Sequence, residues 1–117
     1  MSAQPGPIPK AWRLRVVAIL REGAKTRIIV RQRALRDWQA IFPDEFFAYS
    51  LRDALADALE VNELTGKRYE MDEPGETYGF LFHHRDIQFY GKVNLTEPDQ
   101  LVIVYSAHCP LMGNELP

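Results

Sequence analysis

Cysteine is almost missing from this chain: Cys109 is the only one among 117 residues. That excludes an internal disulfide framework and points to a reducing compartment. A lone cysteine is usually inert, and no sequence-adjacent partner on a strand would share its face, so nucleophilic chemistry at Cys109 is not expected. No apolar run approaches the roughly 18 residues of a membrane span, so no membrane partner is expected. The opening MSAQPGPIPK lacks the apolar stretch of a signal peptide, and a cytoplasmic protein is expected. The 7 glycines are scattered. None forms a phosphate-cradling G-x-x-x-x-G-K-[ST] or G-x-G-x-x-G loop, which argues against nucleotide-triphosphate chemistry. No H-x-x-x-H or C-x-x-C spacing occurs, and His83 and His84 would point to opposite faces of a strand, so neither metal nor other cofactor is expected.

What is present suits one folded domain. Hydrophobic residues make up 46% and charged residues 26%, ordinary for a globular protein. A chain of this length buries enough surface to fold without staples. The net charge of −2 hides a polarity. Residues 1–36 hold nine basic residues against the single acid Glu22, a net +8, which leaves −10 for 37–117. Such a field attracts a phosphate backbone, unless the two parts neutralise each other on folding.

The proline-rich segment 1–9 reads as a mobile leader ahead of a single domain over 10–117. Trp12–Leu20 fits either period: a strand with Trp12, Leu14 and Val16 on one face, or a helix burying Trp12, Val16, Ile19 and Leu20. With a turn at Gly23 and the β-branched TRIIV after it, a strand hairpin over 12–31 is favoured. Residues 33–42 space Leu35, Trp38 and Phe42 as a short helix ended by Pro43. A second helix over 50–63 carries the stripe Leu51, Ala54, Leu55, Ala58 and Leu59. Ser50 with Asp53 resembles a capping box, and Gly66 is a plausible stop. The polar run 66–77 reads as a loop.

Three strands are expected at 78–84, 87–95 and 101–108, joined by short breaks into an antiparallel meander. The fold class is therefore α+β, an antiparallel sheet of four to five strands with helices packed on one face. A two-residue turn at Arg85-Asp86 sets His83 opposite Gln88, Leu81 opposite Tyr90 and Gly79 opposite Lys92. Joining Leu95 to Leu101 sets Gln88 opposite His108, Tyr90 opposite Ser106 and Lys92 opposite Val104. One face is then apolar, from Tyr78, Phe80 and Phe82 to Ile103, Tyr105 and Ala107. The other carries His83, Gln88 and His108 in one row, then Tyr90 and Ser106, then Lys92. Strands about 4.8 Å apart would hold the two histidines roughly 10 Å apart, a distance that one phosphate can span.

That set suits metal-free RNA cleavage by the substrate's own 2′-hydroxyl. The reaction needs a base, an acid and a cation at the phosphorus. His83 and His108 are the candidate acid and base. Lys92 is the candidate cation, and Tyr90 a base-stacking or proton-donating group. Arg85 and Gln88, with Arg27, Arg31 and Arg33 of the basic third, are candidate substrate contacts.

The element order, with FYGKVNL and then VIVYSAH, resembles the small bacterial toxin ribonucleases of the RelE and MqsR type. The resemblance covers about residues 50–108. It implies a compact fold, messenger-RNA cleavage without metal, and a neutralising antitoxin-like protein partner. Tyr90 and Lys92 are the positions it carries over. The alternative is a non-enzymatic module that binds a protein through the Arg-rich edge with Arg27, Arg31 and Arg33 or through the acidic 57–76 surface, or that binds nucleic acid without cutting it.

Overall fold

A computed structural model describes residues 5–23, 26–44, 48–61, 64–97 and 100–109, with backbone alone for residues 48 and 49. Six strands form one sheet: β1 (Gly6–Pro7), β2 (Ile28–Val30), β3 (Thr65–Tyr69), β4 (Glu76–His84), β5 (Ile87–Leu95) and β6 (Val102–His108). Their order across the sheet is β1-β3-β4-β5-β6-β2. All pairings are antiparallel except β2 with β6, which run parallel. Three helices, α1 (Lys10–Glu22), α2 (Gln32–Ile41) and α3 (Ala48–Glu60), complete the α+β domain. None of the described helices is long and apolar enough to cross a membrane.

The helices share one face of the sheet. Trp12 of α1 meets Tyr78 edge-on, with ring centroids 4.9 Å apart. Trp38 of α2 packs on Phe89 at 5.0 Å. A methyl group added at Gly91 would touch Phe82 and Leu55 of α3. These residues enclose a core of aromatic and branched side chains, in which Trp38, Phe80, Phe89, Leu51, Leu55 and Leu59 are fully buried.

The strand hairpin expected over 12–31 is a correction. Residues 10–22 are helical, and only Ile28–Val30 forms a strand. Trp12, Val16, Val17, Ile19 and Leu20 are buried, the pattern of a helix face. Gly23 ends α1 at φ 71, with its N–H on the Ile19 carbonyl, as a left-handed C-terminal cap. Arg13 is buried too, and its guanidinium donates to the carbonyls of Leu59 and Val61 at the end of α3.

The other elements fall close to expectation. The short helix is α2, and the 50–63 helix is α3, which starts earlier and carries the expected apolar stripe. Asn62 and Glu63, at its expected end, lie outside the described residues. Ser50 is not a cap: it lies inside α3, and its hydroxyl accepts the Trp38 indole N–H at 3.0 Å. The supposed loop 66–77 is partly strand, since β3 pairs with β4 from Gly66 to Tyr69. Of the leader expected over 1–9, residues 1–4 lie outside the described residues. The rest is anchored: Gly6 and Pro7 pair with β3, and Ile8 is buried in the core.

Candidate functional site

No described helix covers the second face of the sheet. On β5 the alternation that buries Phe89, Gly91 and Val93 turns Gln88, Tyr90, Lys92 and Asn94 the other way. The β4–β5 register matches the expectation: His83 opposes Gln88, Leu81 opposes Tyr90, and Gly79 opposes Lys92. Arg85 and Asp86 form the turn, both at positive φ (51 and 65).

The β5–β6 register differs. Leu95 opposes Val102 instead of Leu101, and the ladder slips again between Lys92 and Val93. His108 therefore opposes Tyr90, and Ser106 opposes Lys92. The slip is a β-bulge, which gives β6 an extra residue and reverses its alternation below that point. Val102 and Val104 enter the helix-covered core, while Ile103, itself only 4% exposed, and Tyr105 turn to the second face.

The shift separates the two histidines. His83 stays exposed beside Gln88, while His108 sits one row pair further along. Strand spacing then puts their backbones about 12 Å apart on a diagonal. His83 and His108 are thus not placed to straddle one phosphate. His84 points into the core face against Trp38 and Phe42, at 4.9 and 5.1 Å.

His108 gains other neighbours. Its ring packs on Tyr90 with centroids 5.4 Å apart. Its Nδ1 lies 2.8 Å from the Cys109 carbonyl oxygen. A carbonyl only accepts, so Nδ1 carries a proton in that contact, and the neutral ring keeps Nε2 as its acceptor. Tyr90 itself is only 4% exposed. Burial first, and then contact with the Tyr69 hydroxyl, push its pKa far up. It is a platform for His108 and does not offer its ring to a nucleobase.

Lys92 lies on the diagonal from His108. Its Nζ is 4.7 Å from the Tyr69 ring centroid and 6.0 Å from that of Tyr105. Among the described residues Lys92 has no ion-pair partner, and desolvation lowers its pKa. A partly desolvated ammonium over two aromatic rings attracts an anion more strongly than one in water.

The arginines part company. Arg31 ends β2 beside this cluster, with its guanidinium 5.7 Å from the Tyr105 ring centroid and 2.6 Å from Glu73. Arg33 lines a groove of about 320 Å³ together with His108, Cys109 and Asp37. Arg27 is elsewhere, at 3.4 Å from Glu22. Arg85 lies over the Phe42 ring at 5.2 Å and pairs with Asp44 at 3.1 Å, on the helix side. Arg27 and Arg85 therefore do not join the site.

Sequence reasoning missed Tyr69, Glu73 and Tyr105. Tyr69 was hidden in a segment read as loop, although Lys67 and Tyr69 alternate as a strand requires. An unbroken alternation puts Tyr105 on the core face, and nothing in VIVYSAH marks the bulge. Burial, and then Glu73, raise the Tyr105 pKa, while Tyr105 and Arg31 hold the Glu73 carboxylate below the usual range. No protein-family model, curated protein or solved structure matches this chain.

Proposed function

We propose that this protein is a metal-independent endoribonuclease of the small bacterial toxin kind, with its active groups on the open sheet face. The reading is carried by one observation: His108 and Lys92, which has no ion-pair partner among the described residues, sit on a diagonal of that face. His108 Nε2 takes the proton of a ribose 2′-hydroxyl, whose oxygen attacks the adjacent phosphorus. The bond from phosphorus to the 5′-oxygen breaks, and that oxygen leaves with a proton from the Lys92 ammonium. The products are a 2′,3′-cyclic phosphate and a 5′-hydroxyl, with no electron transfer. Desolvation makes Lys92 the stronger acid for this step. Before the proton moves, its charge opposes that developing on the phosphoryl oxygens. Tyr90 positions the imidazole, and Arg33 borders the groove through which the strand would pass.

The test is cleavage of a mixed, end-labelled RNA in EDTA. Wild-type protein is expected to cut. His108→Ala and Lys92→Ala are each expected to slow cleavage by about 10²–10⁴-fold, the usual worth of a proton-transfer group. His83→Ala is expected to cut as wild type does. Intact RNA with folded wild-type protein overturns the reading. An interaction module would then be the better account, and charge reversal at Arg27, Arg31 and Arg33 would probe its surface.

A further inference from the structure

We propose that Arg31, Lys92 and Tyr105 form a phosphate subsite on the open face, and that the carboxylate of Glu73 occupies it as an internal substitute for the ligand. The identity of the ligand as an RNA phosphate rests on the function proposed above; the subsite itself does not.

The path of the chain is the first support. Glu73 lies in the connection between β3 and β4, yet it pairs at 2.6 Å with Arg31 at the end of β2. β2 lies three strands beyond β4 in the sheet. The connection must therefore cross the open face to make this contact. Gly75 sets the crossing angle at φ 110, where any Cβ would lie 2.1 Å from the Leu95 carbonyl oxygen.

The fit of Glu73 in its seat is the second. The Tyr105 hydroxyl is shielded from solvent and faces the carboxylate without a hydrogen bond of regular geometry. Lys92 lies over the same Tyr105 ring, and no acidic group among the described residues pairs with it. Two cations and a hydroxyl donor exceed what one carboxylate can use. A phosphate has more acceptor oxygens to meet them. The Arg31–Glu73 pair is half-exposed, and such pairs exchange readily for a stronger anion.

The test is calorimetric titration with pyrophosphate at fixed ionic strength, repeated with a 2′-O-methyl RNA oligonucleotide that cannot be cleaved. Glu73→Gln removes the competing carboxylate and is expected to tighten pyrophosphate binding roughly fivefold or more, since the free site becomes the major state. Glu73→Asp keeps the charge on a shorter arm and is expected to fall between. Adding Arg31→Gln to Glu73→Gln is expected to erase the gain. Equal affinity in wild type and Glu73→Gln, with both shown folded by thermal melting, overturns the subsite. A gain that survives Arg31→Gln overturns it too. Tighter pyrophosphate binding with no gain for the oligonucleotide keeps the anion subsite and assigns it to a free phosphate. Tighter binding of both probes, alongside RNA left intact in the cleavage assay, keeps the subsite while the ribonuclease reading fails.

Discussion

Arg13 shows how one side chain can finish another element's structure. The last carbonyls of a helix have no partner within it. At the end of α3 those of Leu59 and Val61 accept from the buried guanidinium of Arg13, on α1. The positive charge also suits the negative end of the helix dipole. Arg13→Leu keeps the apolar contacts but takes the donor from the buried Leu59 carbonyl and the part-buried Val61 carbonyl. It is expected to lower the unfolding free energy by about 2–4 kcal/mol, measured by urea denaturation. A loss below about 0.5 kcal/mol would show that the contact adds nothing beyond packing. Gly79 is a second pivotal position. A methyl group there would lie 2.5 Å from the Tyr90 hydroxyl and 2.7 Å from the Tyr69 ring. Gly79→Ala is expected to destabilise by about 1–3 kcal/mol and, on the function proposed above, to slow RNA cleavage by displacing the Lys92 platform. Retained cleavage would detach the tyrosines from the mechanism. At this scale the sequence was readable where alternation was regular: Tyr90, Lys92 and His108 do share a face. It was silent where a contact depends on remote chain, as with Glu73 reaching Arg31.

Among the elements, regular periodicity decided what was legible. The stripe of α3 and the two-residue turn between β4 and β5 were both readable. WRLRVVAIL satisfies both periods, and its β-branched residues favoured the wrong one. Burial against α3 outweighs that local preference. β3 was obscured because its one buried position is Gly66, which carries no side chain to mark a buried face. The Arg85-Asp86 turn holds both central residues at positive φ, the shape of a type I′ hairpin turn usually built with glycine at its second position. Asp86→Gly is therefore expected to raise stability by about 0.5–1 kcal/mol in thermal melts, with no change in the Arg85–Asp44 pair. A destabilised variant would mean that the Asp86 side chain makes a contact worth more than the backbone strain. The bulge in β6 has no marker in the letters. It keeps His108 on the face of Tyr90 and Lys92 while putting Val104 in the core where an unbroken alternation would put Ile103.

For the molecule as a whole, folding offsets part of the charge polarity. Arg21 of α1 meets Asp57 at 2.6 Å and Glu60 at 3.0 Å on α3, and Arg31 pairs with Glu73, whereas Arg27 pairs with Glu22 inside the basic third itself. These contacts are exposed, so they orient elements more than they hold them. Arg21→Gln is expected to cost less than about 1 kcal/mol at low salt, with the difference fading at molar salt in paired denaturation curves. A cost that persists in salt would point to packing of the arginine stem. The parallel pairing of β2 with β6 ties the first third of the chain to its last described strand. Arg31 takes its place only when β2 docks on β6. Slipping that one seam would leave α1 packed on α3 and still scatter the proposed anion cluster, so the cluster depends on three paired residues at a sheet edge more than on the core.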